Sequence, residues 1–440
     1  MEFEGTLFSR GDSGYEAARR GAVWNAFTPE RYPELILQAA SEADCVAAVA
    51  LARERGLKLS VRSGGHSWAG NHLRDETLLL DLSGLREVEI DPEAMRASAQ
   101  PGCPGNELDL ELEKHDLFFP VGHCPGVAIG GYLLQGGFGW NGRIHGPACQ
   151  SVVAIDLVTP DGELVTVDEQ SDPDLFWAAR GSGPGFFSVV TRYHLRLYPR
   201  PPVIANGIYT YPLDALEEVF TWAKGIGSEV PRWMELMVFT HRDDGEPEVV
   251  VTAPVLAPSE AEAHEALALL ETCPANARAK IAMPYFPARL EDLYAGVHAS
   301  YPDDHRYAVD NMWTHAPAAD LLLGIRRIAE TLPEAPSHML WMNWGESPDR
   351  EEMAYSVEDE TYIALYAVWQ DPADDEENVE WATGNMRSME HLASGIQLAD
   401  ENLGRRPASF VGEANLARLD RLRAERDPDG LFHEWMGRPA

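Results

Sequence analysis

The sequence predicts an α+β protein of two domains, and three observations carry that expectation. The chain has 440 residues, beyond the size at which a single hydrophobic core usually stops growing. Its pattern changes at Arg200-Pro201-Pro202. Past that point, strand-like runs (NGIYTYPL, EVVVTAPVL, YIALYAVW) mix with helix-forming stretches (SEAEAHEALALLE, AADLLLGIRRIAETL). Such a mixture suits an antiparallel sheet with helices on one side.

The elements before the break follow in order. PELILQAASEADCVAAVALARERG reads as a short strand and then an amphipathic helix, with Val46, Val49, Ala50 and Ala52 near helical spacing and Gly56 as its stop. KLSVRSGGHSW is a strand running into a glycine loop, TLLLDLSGL is a buried strand, and REVEIDPEAMRASAQPG gives two strands around a turn. NELDLELEKHDLFFPVG is a helix followed by extended chain. A second Gly-rich region follows, PVGHCPGVAIGGYLLQGGFGWNGRIHGPACQ. SVVAIDLVTPDGELVTV is a hairpin turning at Pro160-Asp161-Gly162. DPDLFWAARGSGPGFFSVVTRYHLRLYP is helix, glycine turn and strand, and ANLARLDRLRAERDPDGLF near the end is an amphipathic helix closed by a turn.

Composition narrows the function. The chain carries 35 basic and 71 acidic residues, a net charge of −36. A polyanion of this kind repels nucleic acid and anionic membranes, so neither is an expected partner. The charge reads as a solvated surface, or alternatively as adaptation to salt. No run of about 18 apolar residues offers a transmembrane helix. The start, MEFEGTLFSRGDSGYE, lacks a basic segment followed by an apolar one, so no secretion signal is expected. The five cysteines, Cys45, Cys103, Cys124, Cys149 and Cys273, show neither CxxC nor metal-ligand spacing. They read as thiols of a reducing compartment, with Cys124 the candidate for chemistry and no metal expected. A cytoplasmic, bacterial protein, monomeric or homodimeric, is the expectation.

The chemistry concentrates in two glycine clusters, at 64–65 and 130–139. No GxGxxG fingerprint opens a βαβ unit, which argues against a dinucleotide fold of that type. Two loops of bare backbone N–H groups could instead clamp a pyrophosphate between them. Either loop alone would equally serve as a tight turn.

Taken together and in order, VRSGGHSWAG, LLLDLSGL, VGHCPGVAIGGYLLQGGFGWNGRIHG, DLVTPDGELV and DPDLFWAARGSGPGFFSVVTRYHLRLYP resemble the berberine bridge enzyme-like FAD-linked oxidases. These belong to the vanillyl-alcohol oxidase/p-cresol methylhydroxylase superfamily. The likeness spans roughly residues 14–200 and resumes in FVGEANLARLDRLRAERDPDGLF. It implies a p-cresol methylhydroxylase-type FAD-binding fold with an antiparallel-sheet substrate domain covered by helices. The FAD domain would comprise residues 1–200, the substrate domain 201–405, and a segment 406–440 would return to the FAD domain.

The resemblance also implies a bicovalent flavin. His66 would bond the 8α-methyl group and Cys124 the C6 carbon, and Arg62, Ser63, Gly64, Gly65 and Ser67 would lie along the pyrophosphate. Gly130, Gly131, Gly136, Gly137 and Val190 complete the implied cofactor contacts. A histidine among small residues can approach a planar ring closely, and a thiolate can add to an oxidised flavin where backbone dipoles lower the thiol pKa. Val127 stands where family members with a small valine react with O2. The implied activity is an oxidase: hydride leaves an alcohol-type carbon of a bulky small molecule, an oligosaccharide or natural product, and O2 becomes H2O2. The alternative is a tailoring enzyme that performs oxidative cyclisation or dehydrogenation.

The substrate side is less marked. In MLWMNWGESPDREEMAYS, strand alternation puts Trp341, Asn343 and Gly345 on one face and Met342, Trp344 and Glu346 on the other. Glu346 falls near a glutamate used as base in some family members, and Asn343 is a second candidate. Tyr362 and Tyr366 share a strand face and could line a pocket. Sugar-oxidising members tend to carry a YxNYxD-like stretch where this chain reads GIQLAD, which leaves Gln397 and Asp400 as its polar groups. The candidate catalytic residues are therefore Glu346, Asn343, Gln397 and Tyr366.

Overall fold

The computed structural model describes residues 2–345, 347 and 350–438. Strand Thr6–Ser9 pairs antiparallel with Leu35–Gln38. Leu35–Gln38 and Lys58–Arg62 flank Thr77–Asp81 in parallel register. Parallel neighbours need a crossover, and helix Glu42–Arg55 supplies it. Ser41 caps its start, and Gly56 closes it with φ 64°, the left-handed conformation that glycine adopts without strain. Thr77–Asp81 is buried at every residue, as a strand covered on both faces should be.

A second sheet has five strands in the order Val88–Asp91, Arg96–Ala99, Val189–Arg196, Val152–Val158 and Leu164–Val167. Its last pair is the hairpin expected at Pro160-Asp161-Gly162, and Gly162 turns with φ 84°. The first Gly-rich stretch is a loop that leaves Arg62, whereas the second runs through the short helix Ile129–Leu134, which takes in Gly130 and Gly131 and is followed by Gly136 and Gly137.

Beyond Pro199 the chain enters an eight-stranded sheet that begins with Val203–Pro212. Its pairings are antiparallel. Helices Leu216–Gly225, Glu260–Ala268, Ala318–Glu330 and Asp375–Met389 share a core with one face of it. Strand Thr361–Trp369 shows the division residue by residue. Ile363, Leu365, Ala367 and Trp369 join the helix-side core, whereas Tyr362, Ala364, Tyr366 and Val368 join the core of the first two sheets. This strand is buried throughout, which explains its nearly unbroken apolar sequence.

The last helix, Glu413–Arg426, returns to the first half of the chain. Arg426 forms a two-pronged pair with Asp172 at 2.8 and 2.9 Å, Leu59 N–H donates to the Leu431 carbonyl at 2.8 Å, and Trp435 Nε1–H donates to the Ser182 carbonyl at 2.8 Å. A buried ion pair anchors the segment before it. The Arg406 guanidinium donates to Asp310 at 2.5 and 3.0 Å and to the Asn311 carbonyl at 2.7 Å.

Removing one partner of such a pair strands the other charge in the interior. Asp310→Ala should therefore destabilise the protein by about 3–5 kcal/mol, read as a lowered denaturation midpoint. An exposed pair such as Arg326–Glu217, with both side chains more than half exposed, should cost under about 1 kcal/mol when broken.

Candidate active site

The first glycine loop is held by its own arginine. Arg62 ends the strand Lys58–Arg62, and its guanidinium donates to the Asp81 carboxylate (2.7 Å) and to the carbonyls of Ala22 (3.1 Å) and Gly64 (3.2 Å). Its charge thus braces the loop. Gly65 follows with φ 77°, and a β-carbon there would sit 2.3 Å from the Ala22 carbonyl oxygen, so the tight approach requires glycine. Ser67 turns the loop by accepting from Asn71 N–H at 3.1 Å. His66 lies between them, half-buried, with its ring stacked on Trp24 at 5.2 Å. Burial and the nearby Arg62 charge bring its pKa down to about 4. The imidazole is therefore neutral at pH 7 and keeps a nucleophilic nitrogen.

The second loop meets the first. A β-carbon on Gly64 would come within 2.9 Å of Ala128, one on Gly130 within 2.2 Å of Ser63 Oγ, and one on Gly126 within 3.5 Å of His66 Nε2. Gly130 N–H already donates to the Pro101 carbonyl (3.0 Å), whereas a β-carbon on Gly131 would meet nothing within 4 Å. Gly136 and Gly137 are placed differently from the other cofactor candidates and do not line the cavity. They turn with φ 106° and 86° and pack against Tyr355 and against Ala148 and Tyr132. Their backbone conformation and packing explain these glycines without a ligand.

Cys124 is half-buried in this second loop, and burial together with the Asp400 charge pushes its thiol up to about 12. The backbone-dipole effect anticipated from the sequence is outweighed by desolvation. The other four cysteines are buried, unpaired thiols.

Both loops open on one cavity of about 1080 Å³. Arg62, Ser63, Gly64, Gly65, His66, Ser67, Cys124, Val127, Gly130, Gly131 and Val190 line one side. The opposite wall is the other face of the large sheet together with helix Leu290–Ser300, whose Leu293 and Val297 also line the cavity. Met237 and Phe239, Leu340 and Met342, and Tyr362 and Tyr366 project into it from three adjacent strands, so most of this wall is apolar.

The grouping of Trp341 with Asn343 on one strand face holds, but that face looks away from the cavity. Trp341 lies in the helix-side core, and Asn343 is buried with its amide turned to the Gly227 carbonyl at 3.4 Å. Alternation says which residues share a face, not which face meets the cavity, and the choice of Asn343 as catalytic therefore fails on position. Glu346 lies outside the described residues. Gln397 lines the cavity, with its side-chain oxygen occupied by Ala399 N–H.

Tyr366 also lines the cavity and donates to Asp400 Oδ2 at 2.7 Å. Tyr362 donates to the same oxygen, and Trp68 Nε1–H donates to Oδ1 at 2.7 Å. Asp400 thus accepts three aromatic donors, one from the first glycine loop and two from strand Thr361–Trp369. A second pair lies beside it. His338 donates through Nδ1 to the Pro336 carbonyl (2.9 Å), which leaves Nε2 to accept from the Tyr301 hydroxyl (3.0 Å). Burial holds the His338 pKa down to about 4, and its ring stacks on Tyr366 at 4.8 Å. Neither Tyr301 nor His338 stands out in the sequence, since neither belongs to a recognisable motif.

The comparisons with known proteins bear on this arrangement. A family model described as an FAD binding domain matches residues 33–168. The chain is 32% identical to the FAD-linked oxidoreductase janO of Penicillium janthinellum, over 95% of this chain and 94% of that one. It belongs to the FAD-linked oxidoreductases. A second FAD-linked oxidoreductase, nodO of Hypoxylon pulicicidum, is 30% identical over 94% of this chain and 93% of its own. Both relatives are fungal, which does not favour a bacterial source. Among solved structures, 6-hydroxy-D-nicotine oxidase from Arthrobacter nicotinovorans superposes with a TM-score of 0.86 at 24% identity, covering 100% of this chain and 98% of that one. BBE-like 1 of Physcomitrella patens gives 0.85 at 19% identity, covering 99% and 98%. The fold is that of the vanillyl-alcohol oxidase/p-cresol methylhydroxylase superfamily, and this FAD-linked oxidoreductase is an enzyme. Its residues fit the cofactor: two close-packed glycine-bearing segments, free space beside Gly131 and a cavity of about 1080 Å³ suit a dinucleotide.

The buried histidines make stability depend on pH. His72 and His338 have folded pKa values of about 3 and about 4 against an ordinary 6.5. Below pH 6.5 the unfolded chain takes up protons that the folded chain refuses. Their contribution is full above that value and is lost as the pH falls toward 4. The melting temperature should therefore drop between pH 6.5 and 4.5 in a buffer series, and His72→Gln with His338→Gln should flatten that slope.

Proposed function

We propose that this FAD-linked oxidoreductase is an oxidase that takes a hydride from a carbon bearing OH or NH in a bulky small molecule and passes the electrons to O2 as H2O2. His66 and Cys124 would hold the flavin covalently. One observation carries the reading: a neutral histidine and a cysteine border one cavity with the glycine loops, opposite a tyrosine–carboxylate network. When bound, FAD supplies the two-electron acceptor.

The protein's own groups would do the rest. Tyr366 would take the proton of the substrate's OH or NH group while releasing its own to Asp400, to which it is already hydrogen-bonded. Proton transfer of this kind relieves the charge that hydride loss would leave on the substrate. Gln397 would contribute polar contact at the same end of the cavity. Val127, half-buried on the cavity wall, would leave O2 a path. The apolar strand face favours a natural-product-like substrate over an oligosaccharide, because sugar hydroxyls would lose water there without gaining partners. A xylooligosaccharide oxidase of Thermothelomyces thermophilus matches at 37% identity, but over only 40% of this chain. The same apolar wall supports the second reading, a tailoring oxidoreductase that performs oxidative cyclisation or dehydrogenation. A substrate screen read by H2O2 release and product mass separates the two.

After acid denaturation the yellow colour should stay with the protein, and flavin-bearing peptides around His66 and Cys124 should be found by mass. Colour released to the supernatant would reject the covalent reading. With the substrate found in the screen, Tyr366→Phe should slow anaerobic flavin bleaching by about 10²–10⁴-fold. Val127→Ile should slow reoxidation by air while leaving that bleaching rate unchanged.

A further inference from the structure

We propose that His123, held by the buried carboxylate of Glu235, takes the proton from Cys124 when its sulfur bonds the flavin. The inference rests on the bicovalent reading above. Three observations on residues outside the substrate network lead to it. Glu235 is 1% exposed, and its carboxylate is reached by His123 Nε2 at 2.8 Å and by Asn141 N–H at 2.9 Å. It lies in the sequence beyond the change of pattern at Arg200–Pro202 and reaches back to the second glycine region. His123 and Cys124 are consecutive and line the same cavity. The His123 ring is set by edge contacts with Trp140 (4.4 Å) and Phe138 (5.9 Å).

These contacts select a tautomer. A carboxylate at Nε2 keeps the proton on that nitrogen and leaves a lone pair on Nδ1. Among the described residues, Nδ1 has no hydrogen-bond partner. A carboxylate that orients an imidazole beside a nucleophile is the general arrangement for activating that nucleophile. It is needed here because burial holds the Cys124 thiol in its protonated form. Asp400 is the competing acceptor, but Trp68, Tyr362 and Tyr366 already occupy its two oxygens, and its charge opposes thiolate formation.

The Sγ–H bond breaks and its proton goes to His123 Nδ1. The sulfur electron pair forms the bond to flavin C6, and the hydrogen on C6 leaves as a proton. Two electrons remain in the ring, which dioxygen reoxidises with formation of H2O2.

The test is the mass of flavin-bearing peptides from the full chain, made in a cell-free reaction supplied with FAD and air and sampled over time. The His66 link serves as the internal control for folding and FAD binding. His123→Gln and Glu235→Gln should keep the His66 link and form the Cys124 link about 10²-fold more slowly, the low end of what a positioned base contributes. In His123→Ala carrying flavin on His66, added imidazole should restore formation of the Cys124 link, which a purely structural role would not allow. Unchanged kinetics in both Gln variants would overturn the proposal. So would loss of both links in all three variants, or a failure of imidazole to act while the His66 link is present. A wild-type protein without flavin on Cys124 would instead refute the bicovalent reading, and this inference with it.

Discussion

One carboxylate joins the two sides of the cavity. Asp400 accepts from Trp68, two residues beyond His66 in the first glycine loop, and from Tyr362 and Tyr366 on the large sheet. Hydrogen bonds to a charged acceptor are worth about 1.5–3 kcal/mol each, and a set sharing one acceptor is not additive. Their structural effect is clearer than their energy. They fix the distance between the loop that borders one side of the cavity and the strand that borders the other. Asn311 adds to this by donating to the carbonyls of Gln397 and Asp400 at 3.1 and 2.7 Å, so the backbone that carries the carboxylate is itself tied to the sheet.

Burial sets the electrostatics of the cavity. His66, His338 and Cys124 are all held in their neutral forms by desolvation. The tyrosines of the wall are driven the same way, with Tyr301, Tyr362 and Tyr366 raised well above their ordinary value. Two charges beside the glycine loops and the tyrosines are well engaged: Arg62 on Asp81, and Asp400 under its three donors. The same economy runs through the fold. The net charge of the chain is −36, while two buried acids are paired with arginine, Asp310 with Arg406 and Asp109 with Arg200. The near-absence of lysine suits this, since a planar guanidinium can satisfy a carboxylate and carbonyls together. Arg143, for example, donates to the carbonyls of Trp344, Pro231, Met234 and Val230.

Local features were legible in the sequence, and convergent ones were not. VRSGGHSWAG announces a strand, a left-handed glycine and a tight approach, and each of these depends on residues within the stretch. The crossover helix ending at Gly56 and the hairpin at Gly162 are local in the same way. Tyr362 and Tyr366 could be put on one face by alternation alone. Asn343 shows the limit of that reasoning, because the face it occupies is decided by helices packed from elsewhere. The glycines at 136 and 137 were legible as turns, but only packing against Tyr355 and Ala148 shows that they sit off the cavity. Asp400 and Trp68 are 332 residues apart, and Glu235 and His123 are 112 apart. No spacing rule connects such pairs, and only the folded chain brings them together.

Every residue of Thr361–Trp369 is buried, so neither face of this strand is free to carry a solvated polar group. The helix side is filled by Ile363, Leu365 and Trp369, and a polar residue there would cost its desolvation with nothing in return. On the cavity side the hydroxyls of Tyr362 and Tyr366 are affordable because Asp400 receives both. Chemistry on this strand is therefore confined to positions that a carboxylate from a distant segment can reach. The stretch GIQLAD fulfils that requirement by delivering Asp400 to the strand, without tyrosines of its own.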